Sequence, residues 1–381
     1  MGHKFSKFAK DLIGIQPRVE ALESLLKLNS KEDDIRVLGI WGMGGIGKTT
    51  LASVLYDRIS YQFDACCFIE NFSEIYRNSG GRYGGATAVH KRILCQTMEE
   101  KNLDVYSPSE ISGIVMNRLG NIKLLVVLDD VDQYEQLLEL NIDPSSLLAG
   151  SRIIITTRDE HILIQYDADE IYEAQFMDEN DAHKLLCRKA FKNDYSNITF
   201  EELVNEVLKH AELLPLAIGV MGSFLYKRDA RQWRATLDGW RDNPNSGIMK
   251  VLQTSFDVLE QREKDIFLHI ACFFKGERDD YIRKILDACG LNPNIGIPLL
   301  AEKSLIALRN EEIHMHVMLQ ELGKQVVRGQ HPDEPGFWSR LWLYRDFHRA
   351  MMTKTVTYLS EQILWFFHLN ITTFLTRKES S

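Results

Sequence analysis

Gly42-Met43-Gly44-Gly45-Ile46-Gly47-Lys48-Thr49 decides how the rest of the chain is read. It fits G-x-x-x-x-G-K-[ST], a loop whose glycines let the backbone take positive φ so that successive N–H groups surround an anion. The flanks suit the motif. Residues 35–41 cluster apolar side chains like a buried strand, and residues 50–56 carry them at helical spacing. A helix starting near Lys48 aims its positive dipole end at the same anion. Lys48 is expected to reach the β- and γ-phosphates of a nucleotide, and Thr49 to offer its hydroxyl to Mg²⁺.

Around that loop the chain has 381 residues, enough for two or three domains that each bury a core. Hydrophobic residues at 45% and charged residues at 26% are ordinary for a globular protein. A net charge of −9 argues against nucleic acid as the main partner, because phosphate binding needs a concentrated basic face. The six cysteines show no metal-ligand spacing, as expected of a reducing compartment. No secretory signal opens the chain, so the sequons at Asn71, Asn197 and Asn370 carry no weight. Met1-Gly2-His3-Lys4-Phe5-Ser6 fits M-G-x-x-x-[ST], with Lys7 and Lys10 as an electrostatic second signal. Membrane association is expected only if Gly2 is lipidated; the plainer reading is a start codon that falls beside a Gly.

In chain order, residues 18–28 read as an amphipathic helix with Val19, Leu22, Leu25 and Leu26 on one face, and residues 29–34 as a polar linker. Residues 65–70 read as a second strand, residues 77–85 as a Gly-rich loop, and residues 87–100 and 110–119 as helices. Residues 123–130 form an apolar run of strand length that ends in Asp129 and Asp130. Ligands of open α/β sheets bind at the carboxyl ends of strands, which places Asp129 to hold Mg²⁺ and Asp130 to orient an attacking water. Residues 150–158 are another buried strand, putting Arg158 at the same sheet edge, where it can fork onto a γ-phosphate. Residues 169–174 close the sheet. From Asp178 the pattern turns helical, with Pro215 in the first turn of a helix and residues 243–247 as a linker. Beyond it, short helices and strands at 306–308 and 313–315 predict a winged-helix-like unit. Residues 363–367 are strongly apolar but too few to span a membrane.

These residues resemble the nucleotide-binding module (NB-ARC) of plant intracellular immune receptors, the STAND-type P-loop ATPases with leucine-rich repeats, over roughly residues 12–342. Residues 41–52 look like the family's phosphate loop in full, with Gly42, Gly44, Gly45, Ile46, Gly47, Lys48, Thr49 and Thr50 on the nucleotide. Leu128-Asp129-Asp130-Val131-Asp132 looks like its Walker B box, with Asp132 in the form of receptors that carry a TIR domain. Residues 63–71 and 267–274 are similar to boxes of that subgroup. Residues 150–158 match the sensor strand, whose final Arg, here Arg158, senses the γ-phosphate.

The resemblance implies an α/β P-loop domain with a parallel sheet (35–174), then a helical subdomain (175–243) and a winged-helix subdomain (244–330). An N-terminal segment (1–34) and a tail (331–381) flank them. It also implies that Ile13 and Gly14 lie on the adenine side, that Pro215 contacts the base, and that His316 reaches the β-phosphate of ADP. The implied ligands are ADP or ATP with Mg²⁺, held through Thr49 and Asp129. The implied function is a cytoplasmic immune-signalling switch with at most slow ATPase activity, working with other receptor chains or by self-association. The competing reading is a P-loop ATPase or kinase with multiple turnover. Two positions depart from the family. Leu213 stands where G-L-P-L-A begins with Gly, which should shift the turn before Pro215. Val317 stands where Met-His-Asp is expected, which removes a carboxylate that would anchor the closed state. With no TIR text before Leu12 and no repeats after Trp342, the expectation is a truncated receptor or an incomplete gene model.

Overall fold

The computed structural model describes residues 12–28, 34–79, 84–98, 108–192, 200–242, 246–329 and 331–352. The lipidation motif at Gly2, the sequons at Asn197 and Asn370, most of the 29–34 linker and the apolar run 363–367 lie outside these residues. The chain divides into two compact units. One runs to Arg234 and takes in Glu302–Ser304; the other starts at Ala235.

The first unit is built on a five-stranded, all-parallel sheet: β1 (Arg36–Trp41), β2 (Ala65–Ile69), β3 (Leu124–Val131), β4 (Arg152–Thr157) and β5 (Glu170–Glu173). Their spatial order is β2-β3-β4-β1-β5. The central strands β1, β3 and β4 read as largely apolar runs because helices cover both faces, and all six residues of β4 are buried; the edge strand β5 has no buried residue. Helices α1 (Gln16–Leu25), α2 (Lys48–Ile59), α3 (Phe72–Asn78), α4 (Gly85–Met98), α5 (Pro108–Leu119), α6 (Tyr134–Leu140) and α7 (Glu160–Gln165) belong to this layer structure. Arg77, read from sequence as part of a loop, lies in α3, and Gly85 opens α4; only residues 80–83 of that stretch are undescribed.

The strand order matters for the site. β4 is inserted between the strand that feeds the phosphate loop, β1, and the strand that ends in the two aspartates, β3. In-register pairing of Ile40 with Thr156 and of Leu128 with Ile155 brings the three carboxyl ends side by side. At the opposite edge Arg152, buried, donates from Nε to the Leu26 carbonyl (2.9 Å) and from Nη1 to the Asp34 carbonyl (2.7 Å). One side chain thereby ties α1 and the start of β1 to β4.

Four further helices follow: α8 (Glu179–Phe191), α9 (Glu201–Ala211), α10 (Pro215–Leu225) and α11 (Ala230–Asp242), the last of which contains the division between units. Asp178 caps α8 by accepting the Asp181 N–H, as its sequence predicts. Trp233 is fully buried and stacks on Phe191 at 5.4 Å.

The second unit holds α12 (Ser246–Asp257), α13 (Gln261–His269), a single π turn (Ile270–Phe274), α14 (Asp279–Ala288), α15 (Pro293–Glu302, its last residue grouped with the first unit), the hairpin β6 (Ala307–Arg309) and β7 (Glu312–His314), α16 (Val317–Arg328) and α17 (Tyr344–Met352). Ser246 and Gly247 start a helix rather than ending a linker. Arg278 bridges Glu312 and adds a third short pairing to the hairpin. Close packing between the π turn and α16 depends on Gly323, where a Cβ would come within 2.5 Å of the Ala271 Cβ.

Candidate functional site

The phosphate loop leaves β1 at Trp41 and enters α2 at Lys48. Gly42, Gly45 and Gly47 take φ of +141°, +84° and +102°, conformations that cost a side-chain-bearing residue energy. Gly44 and Ile46 are buried between them, and the Ile46 N–H closes the turn on the Met43 carbonyl at 3.3 Å. Gly47 caps α2, so the unpaired N–H groups of its first turn, with Thr49 and Thr50 exposed there, face the concave side.

Lys48 is 7% exposed and folds over its own loop, donating to the carbonyls of Gly42 (2.7 Å) and Met43 (3.1 Å). Burial, aided by the positive charge of Arg158, lowers its pKa to about 7. A cation held this reluctantly gains much from an anion beside it.

Asp129 is 1% exposed. Its Oδ1 accepts hydroxyl hydrogen bonds from Thr49 (2.8 Å) and from Thr156 (2.7 Å), and Asn71 adds a backbone N–H. Burial raises its pKa, and the two hydroxyls oppose that shift. The aspartates sit in a β-bulge. Pairing of β3 with β4 slips between Leu128 and Val131, and Asp130 adopts φ +61°. Asp130 donates its N–H to the Thr156 hydroxyl (2.9 Å) and pairs with Arg158 at 3.5 Å. Behind it Asp132 accepts from Gln136 (2.8 Å) and pairs with Arg77 of α3.

The other side of the loop is closed by the segment after β5 and by the first turn of α10. The Ala174 N–H donates to the Trp41 carbonyl (2.8 Å), and the Leu216 N–H to the Gly45 carbonyl (3.2 Å). Pro215 is the first residue of α10 and so lies next to the loop. Gly14, at φ +67°, packs so tightly on α8 that a Cβ would strike the Asp181 carboxylate; Ile13 precedes it in the same turn. Arg18 fastens this segment by donating to the carbonyls of Gln175 and Phe176.

Leu214 caps α10 and Pro215 sits at its first position. Just before it Glu212 and Leu213 hold φ of +43° and +61°, and the Leu213 carbonyl accepts the Met177 N–H at 3.2 Å.

His316 belongs to the second unit. It does not simply extend from a strand; its Nδ1 accepts the Met318 N–H (3.1 Å) and caps α16, with Val317 as the first helical residue. Sequence reasoning passed over Thr156, which binds both aspartates, and Leu216, which touches the loop. Both lay inside quoted motifs, yet neither residue type announces itself. Among the described residues no cluster of His, Cys, Asp or Glu forms a further metal site.

A glycine cradle at a helix N-terminus, a buried lysine, and a Thr hydroxyl shared with a strand-end aspartate together define a P-loop nucleotide-binding domain. The residues fit a polyphosphate with a divalent cation. The donor set is cationic and N–H-rich where an anion would sit, and anionic and hydroxyl-bearing at Thr49 and Asp129.

Residues 18–196 match the NB-ARC domain family, and residues 260–331 match the winged-helix domain of Roq1-like disease resistance proteins. It is 36% identical over 342 residues to disease resistance protein RUN1 of Vitis rotundifolia, covering 90% of this chain and 25% of that protein. TMV resistance protein N of Nicotiana glutinosa is 35% identical over 364 residues, covering 93% and 31%. The chain thus spans between a quarter and a third of the length of these relatives. Its fold is similar to that of a Walker-type ATPase of Pyrococcus abyssi, with a TM-score of 0.56 at 14% identity, covering 83% of this chain and 97% of that one.

Proposed function

We propose that this chain is an ADP/ATP-operated molecular switch of plant intracellular immune signalling. The observation that carries the reading is Asp129, buried and gripped by hydroxyls from two separate elements, Thr49 of α2 and Thr156 of β4, beside a buried lysine. The disease-resistance relatives support the immune assignment.

In this reading Lys48 leaves the carbonyls of its own loop to neutralise phosphate, and the N–H groups of Gly44, Gly45 and residues 47–49 take up the remaining phosphate oxygens. Thr49 and Asp129 hold Mg²⁺, which supplies charge neutralisation across the phosphates. Arg158 and Asp130 neutralise each other at rest. A terminal phosphate competes for Arg158, and Asp130 is then released to orient water. Turnover is slow and resets the switch. Ile13, Gly14 and Pro215 line the base side, and His316 reads the β-phosphate from the winged helix. The protein works in the cytoplasm, with other receptor chains or further copies of itself as partners.

Chromatography of the denatured, freshly purified protein tests the reading. Tightly retained ADP is the expected result; an empty site with rapid turnover points to a multiple-turnover ATPase instead. Light scattering should then show a larger species with ATP and Mg²⁺ than with ADP, and equal masses would remove self-association from the scheme.

A further inference from the structure

The C-terminal end of α10 carries a feature that nucleotide binding does not use. Phe224 and Tyr226 are 40% and 37% exposed. Each is overlain by cations. The Arg228 guanidinium lies 3.9 Å from the Phe224 ring centre. The ammonium groups of Lys192 and Lys227 lie 4.8 and 5.4 Å from that of Tyr226. Lys192 ends α8, and α8 packs directly on α10: a Cβ at Gly222 would come within 2.7 Å of the Cβ of exposed Lys189. Residues 227–234 continue the theme with Lys227, Arg228, Arg231 and Arg234 against the single Asp229. That carboxylate is engaged in capping α11, accepting the Gln232 N–H at 2.8 Å. The net charge of the whole chain is −9, so the patch is a local reversal of sign.

We propose that this patch docks the chain onto an anionic lipid surface. Lysine and arginine heads around partly exposed Phe and Tyr rings match the boundary between headgroups and acyl chains, where such side chains place an apolar body inward and a charge outward. Screening decides whether the acidic remainder interferes. At ~0.1 M salt, charges beyond about 10 Å from the surface are largely silent, so the face in contact governs binding. A single-stranded nucleic acid fits less well, because stacking needs open ring faces and these carry the protein's own cations. Among the described residues no helix is long and apolar enough to cross a membrane, so attachment through this patch is peripheral.

The test uses the full chain, made without an acyl group, in sedimentation with phosphatidylcholine vesicles that do or do not contain phosphatidylserine. Binding should require phosphatidylserine and disappear at high salt. Each basic side chain near such a surface contributes roughly fivefold, so Lys192→Gln, Lys227→Gln and Arg228→Gln together should weaken binding about a hundredfold. If the triple variant melts early, Lys192→Gln with Lys227→Gln, both at exposed positions, should still cost roughly 25-fold. Nucleotide content serves as the control for folding and should not change. Equal binding to both vesicle types, or unaltered binding by the variants, overturns the proposal. So does a patch-dependent affinity for oligothymidylate or polyglutamate without vesicle binding.

Discussion

Two turns in the first unit solve the same geometric problem with different residues. The phosphate loop and the α9–α10 turn both lead into a helix through left-handed backbone, and they touch at Gly45 and Leu216. In the phosphate loop every such position is glycine, so the backbone is relaxed and its N–H groups are open to a ligand. In the α9–α10 turn Glu212 and Leu213 occupy the left-handed region at a cost of about 1–2 kcal/mol each. The first turn is built for its ligand; the second is held in place by its neighbours, through Met177 on one side and the phosphate loop on the other. The difference teaches where this module stores strain: beside the loop, in the element that contacts it.

The largest effect should come from Lys48→Arg. The planar guanidinium cannot replace a compact ammonium among the loop carbonyls, and nucleotide affinity should fall by about a hundredfold or more while the fold persists. Titration with a fluorescent ADP analogue, alongside circular dichroism, measures both. Unchanged affinity would mean that the loop is not the anion site.

Gly45→Ala tests the contact between the turns. The alanine must hold φ +84° and its Cβ would lie 2.7 Å from the Leu216 Cβ, so a destabilisation of about 2–3 kcal/mol is expected. Pairing it with Leu216→Ala should recover part of that loss in a double-mutant cycle; strict additivity of the two would separate the turns energetically.

The pH dependence follows from Lys48, whose pKa is lowered to about 7 in the free protein. An anion beside it raises the pKa again, so above pH 7 nucleotide binding takes up a proton and affinity falls by about tenfold per pH unit. Below pH 7 the lysine is already charged and the dependence vanishes. Calorimetry in two buffers of different ionisation heat reads the proton directly. The sign for folding is fixed as well. Between about pH 7 and the ordinary value of 10.5 the unfolded chain holds the extra proton, so the free protein gains stability as pH rises through that window.

Leu213→Gly should relax the second turn. Relief of about 1–2 kcal/mol is offset by the ~0.5–1 kcal/mol entropic cost of glycine, leaving a gain of roughly 0.5–1 kcal/mol in urea unfolding. A loss would show that the Leu213 side chain contributes more through packing than its backbone costs.

The smallest effect belongs to Val317→Asp. The first turn of α16 contains no acidic residue, and a carboxylate there should add about 0.3–1 kcal/mol through the helix dipole. The ADP release rate of the same variant separates a local capping gain from an effect on the switch, since only the second slows release.

Much of this was legible in the sequence. Strands β1 to β4 lie within a few residues of the apolar runs that predicted them, because a strand covered by helices needs a mostly apolar run. The phosphate loop was legible for a different reason: its chemistry lies in consecutive residues, and glycine is the side-chain choice that its backbone requires. Leu213 could be flagged as a departure, but not its consequence, since whether a turn shifts or strains depends on what grips it. The helix assigned to Ser246 and Gly247 was hidden because Asn-Pro-Asn-Ser-Gly is also an N-terminal helix signal.

By itself the sequence determined the loop, its lysine, the paired aspartates and the parallel α/β class, all of which depend on local pattern. Tertiary structure alone decided which partners complete the site. The bulge that turns Asp130 back on itself, the sharing of Thr156 between both aspartates, the seating of Leu216 on Gly45 and the pinning of α1 by Arg152 join residues 26 to 171 positions apart. Such contacts follow from strand order and register, and these are set by the joint burial of β1 to β4.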